Sequence, residues 1–271
     1  MAKSEGVDLE WAIVEMARGG PMTRRYSKKV LYQANKCVGH LIKGIGNKEF
    51  DIYHSDDKKI PGHSGGISGN PEPKTDIVVI TKSKKKYYIS VKMEGGIQLA
   101  SGEGKSTAKL FLAASENIVD ASKKKKIKEL AESLEGMPTR LLSESNLKRI
   151  LQSDKKKLID EFTSNNKIKS SKSYTHWAEK EKPKLMGAIA KLATEDNSFF
   201  EALIFESMTG NQTLKGFSGA AANSVLSPSG FYMLDKTYIN KIKNKVKIDI
   251  RAKSRSGITS IAFRIEIRGS L

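Results

Sequence analysis

The sequence predicts a mixed α/β protein with a central sheet flanked by helices, a basic helical insertion and C-terminal β-strands. Three observations carry this. Asp76 to Thr81 and Tyr87 to Met93 are short apolar runs joined by the basic turn Lys82-Ser83-Lys84-Lys85-Lys86, the pattern of a β-hairpin. Residues 7–18 and 23–45 repeat apolar side chains every three or four positions, the period of a buried helix face. Near the C-terminus, Val246, Ile248 and Ile250 alternate with Lys247, Asp249 and Arg251, as on a strand with one packed face. The 271 residues are enough for one large domain or two modest ones. The expected division is a core over 1–120, the basic helical insertion over 121–195, and a C-terminal helix with strands over 196–271.

In chain order, Leu9, Ala12, Ile13 and Met16 make one stripe of the first helix, which Gly19-Gly20-Pro21 ends. Glu10 borders that stripe, and Glu15, nearly opposite Ile13, should face water. Thr23 is the expected N-cap of the second helix. Arg24, Arg25, Lys28 and Lys29 load its first turns with charge that opposes the helix dipole, so an anionic partner is one explanation for them. Residues 46–73 read as irregular. His54, Asp56 and His63 there have no recognised metal-ligand spacing. Four glycines between Gly95 and Gly104 suggest a backbone that passes close to something. Helices are expected over 107–119, 177–193 with Pro183 marking a break or a first turn, and 199–208, and strands over 230–234, 245–252 and 258–267.

Charge narrows the partners. Lys and Arg number 48 against 30 Asp and Glu, a net +18. Such an excess favours a polyanion, either nucleic acid or an acidic surface. Residues 122–172 hold 14 basic and 7 acidic residues, and residues 236–268 hold 10 and 2. Their basic clusters are Lys123, Lys124, Lys125 and Lys126, then Lys155, Lys156 and Lys157, then Arg251, Lys253 and Arg255. They are the candidate phosphate contacts, a type of contact that sets affinity without reading sequence. No apolar run reaches the roughly 18 residues of a membrane helix, so no membrane partner is expected. The first residues lack the apolar core of a signal peptide, and the single cysteine, Cys37, allows no internal disulfide. Both point to a cytoplasmic setting.

The chemistry-bearing residues gather on the hairpin. Asp76 opens its first strand, while Ser90 and Lys92, two apart, share one face of its second. An acid that holds Mg²⁺ beside a lysine that attends the attacking water suits metal-dependent phosphodiester hydrolysis. The segments PKTDIVV and YYISVK, followed by Gln98, resemble the core of the PD-(D/E)XK nuclease superfamily. The resemblance implies a restriction-endonuclease-like central sheet and a Mg²⁺-dependent DNA endonuclease, with Mn²⁺ as a substitute metal. Asp76 would bind the metal, Lys92 would position the water and Gln98 would touch the substrate. Ser90 stands where the family carries its second acid, so its hydroxyl would act weakly or through water. A helix before the sheet often lends a glutamate in such nucleases. Glu10 is the candidate, followed by Glu15, Glu72, Glu94, Glu103 or Glu206. FESMTG, residues 205–210, resembles segments of nuclease-like proteins of tailed phages, which would place the chain in a host cytoplasm or a virion. A non-catalytic DNA-binding or DNA-end-protecting protein is the alternative, and the oligomeric state is left open, a homodimer included.

Overall fold

A computed structural model of the chain describes residues 5–46, 48–63, 65–67, 73–94, 97–137, 140–142, 177–255 and 258–269. They form a mixed α/β protein of seven helices and two sheets. One compact unit draws on residues 1–99, 204–246 and 266–271, and a second on residues 100–203 and 247–265. The insertion expected over 121–195 falls inside the second unit. Among the described residues no helix is long and apolar enough to cross a membrane.

The first unit begins with α1 (Glu5–Arg18), whose stripe of Leu9, Ala12 and Ile13 is fully buried. The second helix, α2 (Lys28–Gly44), starts five residues later than its periodicity suggested. Its N-cap is Ser27, not Thr23. Ser27 has extended backbone, and its hydroxyl accepts the Val30 N–H at 3.2 Å. Thr23 is occupied elsewhere: its N–H donates to Glu15 Oε2 at 3.2 Å and its hydroxyl to Oε1. Glu15 is therefore buried, contrary to its expected exposure. Burial works to raise its carboxyl, but hydrogen bonds from Thr23 and Tyr26 and the Arg24 charge outweigh it and hold the group below the usual range. A helical wheel could not show that the loop after α1 folds back to meet this acid.

The five-stranded sheet of this unit has the order β1-β2-β3-β6-β7. Strand β1 (Phe50–His54) lies in the stretch expected to be irregular. Ile52 and His54 are buried and Asp51 is exposed, but five residues between polar flanks were too short a pattern to read. Strands β2 (Ile77–Thr81) and β3 (Lys86–Val91) form the expected antiparallel hairpin, in register from Ile77 opposite Ile89 to Ile80 opposite Lys86. Strand β6 (Ser224–Ser227) runs parallel to β3, with Val91 opposite Leu226, and β7 (Gly230–Met233) closes the edge antiparallel. Alternation sends Ile77, Val79, Ile89 and Val91 into one core with α1 and α2, while Val78 and Ile80 pack with Ile60, Ile67, Leu214 and Ala220 in another. Cys37 is buried in the first of these cores. Burial, with the Glu94 charge nearby, pushes its thiol up to about 12, so it is an apolar filler and no nucleophile.

The second sheet has the order β4-β9-β5, with β8 also paired to β9. Its strands are β4 (Ile97–Gly102), β5 (Arg140–Leu142), β8 (Val246–Arg255) and β9 (Ile258–Ile267). The second unit contains helices α3 (Gly104–Ser115), α4 (Ala121–Glu135) and α5 (Lys182–Glu195), and the start of α6 (Asn197–Thr209). A short α7 (Lys236–Ile242) lies in the first unit. Pro183 sits in the first turn of α5, as its missing N–H allows. Helix α3 begins three residues before its expected start, at a glycine that explains part of the glycine-rich run. A Cβ on Gly104 would lie 2.2 Å from the Leu134 carbonyl oxygen of α4. Phe111 packs against Phe199 and Phe263, with ring centroids 5.6 and 5.5 Å away. Gly104→Ala is expected to lower stability by about 1–3 kcal/mol, because a backbone carbonyl cannot yield as a side chain can. Urea unfolding of the purified variant against the wild type measures it.

Candidate active site at the end of the first sheet

The site forms where three strands stop together. The hairpin register stops at Ile77 opposite Ile89; beyond it the Asp76 N–H donates to the Ile89 carbonyl at 2.9 Å, and the Ser55 N–H donates to the Asp76 carbonyl at 2.9 Å. The Lys92 N–H points to β6, where Leu226 O accepts it at 2.9 Å. The Val91 N–H therefore points to the β2 side, beyond that strand's first residue. The Asp76 side chain fills the gap: its Oδ2 accepts the Val91 N–H at 2.7 Å and the Ser90 hydroxyl at 3.2 Å. Ser90 is buried, and Lys92, two residues on, shares its face.

Asp76 is half-buried as a residue, with its carboxylate end enclosed. Burial pushes its carboxyl up to about 6 against an ordinary 3.8. The Lys92 ammonium pulls it down, the Glu10 carboxylate raises it, and the Val91 and Ser90 hydrogen bonds lower it. The charges of Lys92 and of Glu10, the latter on α1, thus both act on Asp76.

Glu10 is itself held. Its Oε2 lies 3.1 Å from His54 Nε2 at the end of β1. His54 Nδ1 accepts the Asp56 N–H at 3.1 Å, which assigns the ring proton to Nε2 and makes it the donor to Glu10. The imidazole is 3% exposed and stacks on Trp11, with centroids 4.0 Å apart and planes 11° apart. Arg24 lies over the same indole, its Cζ 3.8 Å from the ring centroid. His54 was not singled out as a site residue in the sequence. Its signal was its parity with Ile52 on a strand hidden in a loop-like stretch, together with Trp11 beside Glu10.

Other candidates fall elsewhere. Gln98 is exposed on β4 between buried Ile97 and Leu99, and it makes no hydrogen bond to Asp76, Ser90 or Lys92. Glu94 is exposed, and its backbone N–H reaches Gln33 Oε1 at 3.4 Å. Glu103 is exposed at the start of α3 and makes no capping bond. Glu206 is buried, and among the described residues it forms no salt bridge. It accepts the N–H groups of Gln212 at 3.0 Å and Thr213 at 2.7 Å and the Thr213 hydroxyl at 2.8 Å, and so pins the turn after α6. Glu72 lies outside the described residues. Of the basic clusters, Lys123 is half-buried and paired with Asp196 at 3.2 Å, so it serves the fold of the second unit. Lys125 and Lys126 are exposed and Lys124 half so, and Arg251 lies 3.6 Å from Asp249. Lys155, Lys156 and Lys157 lie outside the described residues, as do the side chains of Lys253 and Arg255.

Among the described residues no three His, Cys, Asp or Glu side chains converge as a metal-binding group. Asp76 and Glu10 are the acids on offer. Both hydrogen bonds to the Asp76 carboxylate fall on Oδ2, and the His54 bond to Glu10 falls on Oε2, which leaves one oxygen of each for a further partner. Mg²⁺ keeps several waters and is held by one or two carboxylates plus substrate phosphate, so this donor set suits it. No protein-family model, curated protein or solved structure matches the chain.

The raised carboxyl has a consequence for stability. The folded state holds the Asp76 proton more tightly than the unfolded chain, so stability falls as pH rises from about 4 to about 6. Asp76→Asn keeps an acceptor for Val91 and Ser90 while removing the buried charge. It is expected to raise the thermal midpoint of metal-free protein at about pH 8, by an amount that shrinks through about pH 6 and vanishes near pH 4. Thermal melts in EDTA across that range check it.

Proposed function

We propose that the chain is a metal-dependent DNA endonuclease that hydrolyses phosphodiester bonds at the Asp76 cluster. One observation carries the proposal. Asp76 and Glu10, from a strand end and a separate helix, share one electrostatic site with Lys92, and burial has made that site expensive to keep charged. A structural ion pair would have no need of a second carboxylate against the first. The restriction-endonuclease-like arrangement and a DNA partner belong to the same proposal, supported by the hairpin geometry and the +18 charge.

In this reading Asp76 and Glu10 hold the divalent cation, Mg²⁺ or Mn²⁺. When bound, that ion polarises the phosphate and lowers the pKa of a coordinated water. Ser90 and Val91 fix the Asp76 carboxylate by donating to Oδ2, so its other oxygen keeps one direction. His54 does the same for Glu10 from the far side. Lys92 places its ammonium where negative charge grows on the phosphate oxygens, a contribution realised in the transition state. Lys124, Lys125, Lys126 and Arg251 supply phosphate contacts that set affinity.

Ser90 favours the second reading, a non-catalytic DNA-binding or DNA-end-protecting protein. Its hydroxyl occupies Asp76 where a second acid would stand. The two readings part on one experiment, incubation of supercoiled and linear DNA with Mg²⁺, Mn²⁺ or EDTA. As a nuclease, the wild type cuts with metal, and Asp76→Ala and Lys92→Ala each lower the rate by at least about 100-fold with DNA binding largely kept. Mg²⁺ or Mn²⁺ should also raise the melting temperature of the wild type but not of Asp76→Ala, since a ligand stabilises the state that binds it. No cleavage under any condition, and no response to Asp76→Ala, leaves the binding protein. Ser90→Asp restores the acid and is expected to increase the melting shift with Mn²⁺, a result read without any turnover.

A further inference from the structure

We propose that the solvent-facing ridge of α2, centred on Tyr32 and Lys36, binds a single-stranded stretch of DNA beside the Asp76 cluster. The inference rests on the DNA reading above. Helix α2 carries Lys28, Lys29, Lys36 and Lys43 and not one Asp or Glu. Two of these lysines stand in its first turn, where the helix dipole disfavours them, and Glu5 meets only one, Lys29, at 2.7 Å. Its buried face, with Val30, Ala34, Cys37 and Leu41, already accounts for its packing in the core.

The opposite face presents an exposed aromatic ring that lies outside the core. Tyr32 is 62% exposed, and Lys36 Nζ lies 4.7 Å from its ring centroid. One turn further, Gly39 stands in the helix interior, where glycine is disfavoured against alanine. No atom lies within 4 Å of the position its Cβ would take. Packing therefore does not require this glycine. It puts no side chain between Lys36 and exposed Lys43 on this face of the helix. An exposed ring between lysines, on a helix that carries no Asp or Glu of its own, suits unpaired nucleotides: bases stack on the ring and the lysines follow the phosphates. A duplex has no unstacked base to offer Tyr32, so the occupant is a single strand.

The ridge also adjoins the site. Gln33 accepts the Glu94 N–H, and the Glu94 carboxylate acts on Lys36. Glu94 follows Lys92 by two residues, so the flank of α2 that carries Lys36 borders the chain leaving the candidate catalytic lysine.

Fluorescence anisotropy tests this on the full chain in EDTA at low salt. The probes are an oligothymidylate of about 16 nucleotides, the span of one large single-strand site, and a duplex of equal length. Tyr32→Ala is expected to weaken single-strand binding about tenfold or more, as loss of one stacking ring does, and duplex binding less than about twofold. Tyr32→Phe should bind as the wild type does, because the ring and not the hydroxyl is used. Lys36→Ala should lower the salt slope for the single strand by about 0.7. Wild-type affinity in Tyr32→Ala, or an equal loss on the duplex, overturns the inference and leaves the nuclease reading standing. A wild type that binds neither probe overturns both, and selective loss in a protein that cuts no DNA keeps this site while removing the hydrolase.

Discussion

The carboxylate of Asp76 at the end of the hairpin is the constraint on which the first unit turns. It accepts the Val91 N–H, which lies beyond the last paired residue of the hairpin. A backbone donor at that depth has to be paired, and here a charged side chain pairs it. The same bond fixes the relative position of Ser90, Lys92 and Leu226 of β6, since Lys92 continues the ladder to Leu226. Strand pairing and candidate chemistry therefore cannot be separated at this point.

Comparison with the chain's other buried acids shows why Asp76 stands apart. Glu15 and Asp196 are also enclosed, but hydrogen bonds and a neighbouring cation hold both carboxyls below the usual range. Each works as a staple: Glu15 fastens the loop before α2, and Asp196 caps α6 while pairing with Lys123. Glu206 fastens the turn after α6 in the same way. Among the described acids, only at Asp76 does burial, with a second carboxylate added, outweigh the groups that favour ionisation. A fold that needed only a staple would gain by removing Glu10 from its neighbourhood.

What could be read from the sequence was what local pattern determines. The Asp76 hairpin, the α1 stripe, the pairing of Ser90 with Lys92 on one face, and the last two strands all follow from periods of 2 or 3.6. The edge position of Glu10 followed from the same period, but its partner did not. His54 sits on a five-residue strand held by pairing with β2 and by contacts with α1, all distant in sequence. The Thr23 and Glu15 error has the same origin, because a loop returning to a helix leaves no periodic trace. The pairing of Lys123 with Asp196 was hidden by distance along the chain, and a run of four lysines gives no sign which one the fold will claim.

Strand β3 pairs with β2 on one side and with β6 on the other, and the chain between β3 and β6 includes most of the second unit. During synthesis the hairpin and both leading helices emerge long before residues 224–227. At ordinary ribosomal speeds the open side of β3 waits on the order of ten seconds for its partner. Until then the Lys92 backbone has no carbonyl to hold it, and the cluster at the strand ends is incomplete. Ser90 and Lys92 therefore border an unpaired edge throughout that interval, the kind of edge that recruits foreign strands. The lysines of the hairpin turn, Lys82, Lys84, Lys85 and Lys86, put like charges on every nascent copy and so keep two such edges apart on a crowded polysome.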